Sequence, residues 1–310
     1  MSKQYLTAHT IDNAHESAIY ALGVTAEYTL TGSGSSAIKL HSTRDPTHPL
    51  LHTFDDAHKL GCHHIAVSKT GKRAVSAGFD GRMKIWDLEN LEPNQEITSA
   101  SKDGKTWPIS LSADGSRCIT GSHNGRVKVW DLDKTPVLQL REYETKNVFA
   151  MCVDLSSDGK LAASGHENGG VYIFNNETGR MAHSITGLIK PVRAVAFSPA
   201  SKLLAVGGDF QVIAIYDVRS GEQVFNLVGH TSWVFSISWS ETGHFLATSA
   251  FDGKTKVWSI ESRSCVTTLG ESGKPVFQVS FLPKLGSGED LVTVGSSITY
   301  YREASGAQNG

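Results

Sequence analysis

The sequence predicts an all-β chain: a seven-bladed β-propeller closed by its own N-terminal strand. Three observations carry this reading. A short Lys-Ile/Val-Trp motif recurs along the chain, its copies fall at a nearly constant spacing, and the last copy lacks a strand that the N-terminus supplies.

The motif reads Lys84-Ile85-Trp86-Asp87, then Lys128-Val129-Trp130-Asp131, then Lys256-Val257-Trp258-Ser259. Weaker copies are Ile38-Lys39-Leu40-His41, Val171-Tyr172-Ile173-Phe174, Ala214-Ile215-Tyr216-Asp217 and Thr299-Tyr300-Tyr301-Arg302. The anchors His41, Trp86, Trp130, Phe174, Tyr216, Trp258 and Tyr301 are separated by 45, 44, 44, 42, 42 and 43 residues. A period of this length, filled by short strands, is one propeller blade per repeat.

The sixth repeat shows the strands most clearly. Trp233 to Ser240 is a mostly apolar run, and Glu241-Thr242-Gly243 makes a turn. His244 to Ala250 follows, then the hairpin signal Asp252-Gly253, Lys254 to Ile260, and Cys265 to Leu269. The last repeat, from about Val276 to Arg302, has three strands. Residues 4–11 read as a lone fourth strand. Their pairing into blade 7 closes the ring and removes two open sheet edges. Residues 1–302 therefore read as one propeller, with 303–310 as a disordered tail and Pro283 to Asp290 as a mobile loop.

Composition agrees with a turn-rich globular protein. Of 310 residues, 39% are hydrophobic and 19% charged, with 30 glycines and 9 prolines. The net charge of −2 gives no basic excess for gripping a nucleic-acid backbone. No apolar run is long enough to span a membrane, and the N-terminus has no apolar signal core. Cys62, Cys118, Cys152 and Cys265 form no C-x-x-C pair, which suits free thiols in a reducing compartment such as the cytosol or nucleus.

Three catalytic or ligand readings fail, the first of them on the repeat. His58, Ser76 and Asp80 have the residue types of a hydrolase triad, followed by Trp86. His230, Thr248, Asp252 and Trp258 repeat the set at matching positions, and His15 with Thr31 echoes it. A catalytic site would not be copied around a ring, so the set reads as structural. Cys62-His63-His64 invites a metal, but strand alternation puts Cys62 and His64 on one face with His63 opposed, and no second ligand pair is near in sequence. Gly32-Ser33-Gly34-Ser35-Ser36 lacks the ending of a phosphate loop and precedes a strand, so it reads as a turn of blade 1. No catalytic residue, cofactor or metal is expected.

Binding residues are expected where the central channel opens. Two repeat positions reach that rim. One, before the hairpin Asp, holds Phe79, His123, Glu167 and Phe251; the other, early in the innermost strand, holds Tyr20, His63, Trp107, Met151, Arg193, Phe235 and Phe277. Aromatic residues with one Arg have the composition of an interaction hot spot. Tyr20, Phe79, Trp107, Arg193, Phe235, Phe251 and Phe277 are the candidate protein-binding residues, with Arg193 expected to donate to peptide carbonyls or a carboxylate.

The repeats resemble the WD-repeat family, and among its members the WD-repeat subunits of superkiller (Ski) complexes. Gln4-Tyr5 before Ala14-His15, Gly121-Ser122-His123 with Lys128-Val129, and Asp158-Gly159-Lys160 with Ala163-Ser164-Gly165 carry the likeness. So do Pro191-Val192-Arg193 with Ala196-Phe197-Ser198-Pro199, and Ser232-Trp233-Val234 before Lys256-Val257-Trp258. In that family the His–Ser/Thr–Asp–Trp set is a buried hydrogen-bond chain between the entering loop and the two central strands. His41 in place of a Trp and the weak hairpin Gly295-Ser296-Ser297 depart from the pattern. The resemblance implies a non-catalytic subunit beside a tetratricopeptide-repeat scaffold protein and an RNA helicase, feeding the exosome in 3′-to-5′ cytoplasmic mRNA decay. It also implies a nuclear role in meiotic recombination with the DNA-break-forming protein, or, in animals, in the polymerase-associated factor complex. A substrate-receptor propeller of a ubiquitin ligase and a direct enzyme or nucleic-acid binder are the competing classes.

Overall fold

The computed structural model describes residues 3–98, 105–270, 273–284 and 288–304. Among them are seven four-stranded antiparallel sheets, and no helix long and apolar enough to cross a membrane. The innermost strands, one per blade in chain order, are Ile19–Val24, Cys62–Val67, Thr106–Leu111, Ala150–Leu155, Val192–Phe197, Val234–Trp239 and Gln278–Phe281. The sixth blade follows the sequence reading within a residue or so, with strands Val234–Trp239, Phe245–Ala250, Lys254–Ser259 and Ser264–Gly270.

The second strand of a blade is buried almost throughout, as in Arg73–Gly78 and Leu203–Gly208. Both of its faces meet neighbouring blades, so it carries a continuous small-apolar run rather than alternation. The cores are accordingly shared between blades. Leu30, Ile38, Leu40 and Phe54 of blade 1 pack with Ile65, Ala74 and Trp86 of blade 2, and the Phe54 and Trp86 rings stack at 4.3 Å. Each blade's hydrophobic face is covered only once its neighbour is in place, so the ring is stable as a whole or not at all.

Closure is made by the N-terminal strand, Tyr5–Asp12, which pairs antiparallel with Ser297–Glu303 from Tyr5↔Glu303 to Asp12↔Ser297. Tyr5 is buried among Val279, Phe281, Leu291 and Tyr301. Lys3 clamps the seam: its ammonium lies 2.8 Å from Glu289, 3.0 Å from Glu303 and 3.9 Å from the Phe245 ring centroid in blade 6. Glu303, expected in the tail, is the last residue of a strand, and the Ala304 amide donates to the Gln4 carbonyl at 2.8 Å. The rest of the expected tail lies outside the described residues, as do residues 285–287 of the expected loop. The ends of that loop are tied by Leu282 N–H donating to Asp290 O at 2.8 Å.

Adjacent innermost strands do not form a ladder around the channel, and side chains satisfy some of their amides instead. Leu22 N–H donates to Gln278 Oε1 at 2.8 Å, Phe197 N–H to Asp154 Oδ2 at 2.8 Å, and Phe281 N–H to Ser238 Oγ at 3.2 Å. Burial pushes the Asp154 carboxyl up to about 6, although Phe197 and Ser110 both donate to it.

Candidate functional site

The His–Ser/Thr–Asp–Trp sets are hydrogen-bond chains. In blade 6 the Trp258 indole donates to Thr248 Oγ1 at 2.8 Å, Thr248 Oγ1 lies 2.8 Å from His230 Nε2, and His230 Nδ1 lies 2.9 Å from Asp252 Oδ2. In blade 2 the same path runs Trp86, Ser76, His58, Asp80, at 2.8, 2.7 and 3.3 Å. Burial pushes both imidazoles below their ordinary pKa, so they are neutral. With Asp accepting from Nδ1–H, Nε2 must accept from the hydroxyl, and the hydroxyl is left to accept from the indole. Every proton has one place, which is what fixes this packing. Gly78 is required by the chain, because a Cβ there would collide with the His58 ring and the Asp80 carboxylate.

The chains decay where the sequence departs from the repeat. In blade 1, His15 reaches Thr31 at 2.9 Å and Ser33 at 3.1 Å, but His41 Nδ1 has no partner among the described residues. In blade 4 the histidine is the last residue of the second strand instead: His166 meets Ser164 at 2.9 Å and Val148 O at 2.8 Å. Asp252→Ala strands the His230 imidazole N–H and the Thr231 and Lys254 amides, and is expected to cost about 1–3 kcal/mol. Asp80→Ala, at a longer contact, is expected to cost less. Calorimetry checks the order, and an Asp252→Ala protein melting like the parent would refute it.

The two rim positions converge for a backbone reason. In each of the first six blades the pairing of the innermost strand with its neighbour slips by one residue, at Tyr20, His63, Trp107-Pro108, Met151, Arg193 or Phe235. Such a bulge re-aims the side chain it carries, here into the channel mouth. The hairpin residue is then drawn in by its own amide: Phe79 N–H donates to Gly61 O at 3.1 Å and Phe251 N–H to Trp233 O at 2.8 Å. The bulge also overturns the expected alternation of Cys62-His63-His64. His63 Nδ1 and His64 Nδ1 are 2.8 Å apart, and both rings line the mouth. Cys62 is a buried thiol with its pKa pushed up by burial, and no cluster able to hold a metal occurs among the described residues.

The mouth is a cavity of about 390 Å³ lined by Tyr20, His63, Phe79, Trp107, Arg193, Phe235 and Phe277, among others. Its aromatics form a continuous belt. Phe235 meets Phe277 at 5.5 Å, Phe277 meets Tyr20 at 4.9 Å, Tyr20 meets Phe79 at 6.0 Å, and Phe79 meets Trp107 at 5.6 Å. Phe251 does not line the cavity. It sits on the outer rim, 48% exposed, 6.0 Å from Phe235 and 5.4 Å from Trp233.

Arg193 differs from expectation as well. Its Nε and Nη2 are both committed to Asp209, and its guanidinium lies 4.7 Å from the Trp233 ring. It neutralises a carboxylate and braces an aromatic ledge. Asp209, Trp233 and Phe149 are contacts of the mouth residues that the sequence reading missed. The register could have found them: Asp209 stands where Phe79 and Phe251 stand, and Trp233 and Phe149 each lie two residues before a bulge.

The fold and this mouth define a class, the seven-bladed β-propeller with an aromatic-lined cavity at one end of its channel. The chain belongs to the WD-repeat family: the model described as WD domain, G-beta repeat, matches residues 49–87, 97–131, 134–175, 180–213 and 221–259, more than half of the chain. It is similar to meiotic recombination protein rec14 of Schizosaccharomyces pombe, at 37% identity over 72% of this chain and 74% of that one. It is also similar to antiviral protein SKI8 of Saccharomyces cerevisiae, at 31% identity over 40% of this chain and 43% of that one. A shorter match, 37% identical, covers 36% of this chain and 20% of pre-mRNA-processing factor 19 homolog 2 of Arabidopsis thaliana. WD-repeat propellers are generally non-catalytic scaffolds, and this chain is a WD-repeat protein of the scaffold type.

Proposed function

We propose that the chain holds a short peptide of a tetratricopeptide-repeat scaffold protein at its aromatic mouth, as the non-catalytic propeller of a Ski-like complex with an RNA helicase. In that role it supports exosome-dependent 3′-to-5′ mRNA decay in the cytoplasm. The likeness to rec14 supports a second, nuclear use in meiotic recombination, through the DNA-break-forming protein. It needs no cofactor and does not bind nucleic acid directly. The observation that carries the reading is the unbroken aromatic belt at one channel mouth, where a merely solvated face would carry polar residues. Such rings bury much area with few rotors to freeze.

Isothermal titration with the tetratricopeptide-repeat subunit tests it. Phe235→Ala, which removes a belt ring that lines the cavity, is expected to weaken binding about thirtyfold, or about 2 kcal/mol, with little change in melting temperature. Phe251→Ala, on the rim, is expected to lose less, and Thr267→Ala on an outer strand nothing. Equal and negligible losses for all three would move the interface to a blade side or the opposite face.

A further inference from the structure

Few buried side-chain polar atoms among the described residues lack a hydrogen-bond partner, and of those His63 Nε2 is the one that belongs to the mouth. Histidine 63 is 4% exposed. Its ring is held on three sides: it stacks on Trp107 at 4.1 Å and 17°, meets the Phe79 edge at 4.9 Å, and places Nδ1 against His64. Leaving a buried polar atom unpaired destabilises the free protein. A bulge that turns this residue inward, repeated blade after blade, makes the placement a property of the fold.

We propose that His63 is the polar anchoring contact of the mouth: its Nε2 forms a hydrogen bond with a backbone amide of the bound peptide, reached when the Phe79 ring turns aside. This rests on the mouth being the peptide site. Phe79 is the movable member because it is half-buried at a hairpin tip and its aromatic contacts, to Tyr20, His63 and Trp107, are all T-shaped rather than stacked. Trp107 is fixed between His63, His123 and Phe149. The ligand group is neutral. Burial and the neighbouring His64 keep His63 uncharged, and the nearby Arg193 is already matched by Asp209. A peptide bond offers both N–H and C=O, so it satisfies Nε2 in either imidazole tautomer.

The probe is the tightest peptide from a phage-displayed random library panned on the full-length protein. His63→Phe keeps the stack on Trp107 but removes both ring nitrogens, so His64 Nδ1 loses its partner and some drop in melting temperature is expected whatever Nε2 does. Measured on folded protein well below the melt, it is expected to bind the peptide about tenfold more weakly. A purely structural histidine would lower the melting temperature and leave the affinity of the folded protein unchanged. On the unmodified protein, replacing each peptide amide by an ester in turn should reveal one position where binding drops, and that drop should vanish in His63→Phe. The inference is overturned if His63→Phe binds normally, or if no ester weakens binding, while Phe235→Ala still does so. If Phe235→Ala also binds normally, or the library yields no binder, the mouth reading falls and this inference with it. Should His63→Phe not fold, the ester series on the parent and His63→Gln decide the matter.

Discussion

Deleting residues 1–12 is expected to leave a chain that aggregates or melts far below the full protein. The deletion removes the whole outer strand of blade 7 and bares the edge of Ser297–Glu303. It empties the place of the Tyr5 side chain among Phe281, Leu291 and Tyr301, worth about 1.5–3 kcal/mol by itself. It also removes Lys3, which ties the seam to Glu289, Glu303 and blade 6. A ring has no end that can fray alone, so these losses fall on the cooperative unit. Their sum, on the order of 5 kcal/mol, approaches the whole stability of an ordinary domain. Thermal melts and sedimentation velocity on the truncated protein measure it. Adding a synthetic peptide of residues 1–12 should raise the melting temperature again. A truncated protein that melts like the parent would mean that the seam is not what closes the ring.

The second large effect is acid lability. Burial holds the imidazoles of His15, His41 and His64 at about 4, against the ordinary 6.5, and His58, His166 and His230 are lowered too. Between those two values the unfolded chain binds more protons than the folded one, so stability is full above about pH 6.5 and falls as the pH drops. At pH 5 each of the first three costs on the order of 2 kcal/mol. Asp154 acts in the opposite sense. Its carboxyl, raised to about 6, takes up a proton first in the folded state, which returns about 1 kcal/mol at the same pH. Urea titrations at pH 7.5 and pH 5 should therefore show a net loss of several kcal/mol. Equal stability at the two values would mean that the buried histidines are protonated and paired in the native state.

Much of the ring was legible in one dimension. Asp252-Gly253 makes its hairpin because Gly253 takes φ of 73°, which a residue with a side chain resists. The Trp, Phe and Tyr anchors mark third strands because each must reach the hydrophobic contact between blades. The polar chains could be matched by register, since both ends of each lie within one repeat. Where the register broke, at His41 and His166, the chain broke or rerouted, and the sequence could show the departure but not the new route.

The site was legible as a list of rim positions and not as a surface. Alternation places His63 opposite Cys62 and His64, yet a bulge is one uncounted residue in a ladder, invisible to a period of two. Arg193 reads as an available cation until Asp209, from the neighbouring hairpin, is folded onto it. Phe251 and Phe79 occupy equal positions in their repeats, but only Phe79 meets the next blade's aromatics and lines the cavity. By itself the sequence determined the number of blades, their strands and the strand that closes them, because those follow from local turn chemistry and a repeated apolar pattern. The tertiary structure alone decided which side chains share the mouth and which polar atom is left unpaired there, because those depend on contacts between neighbouring blades and on bulges that local pattern does not encode.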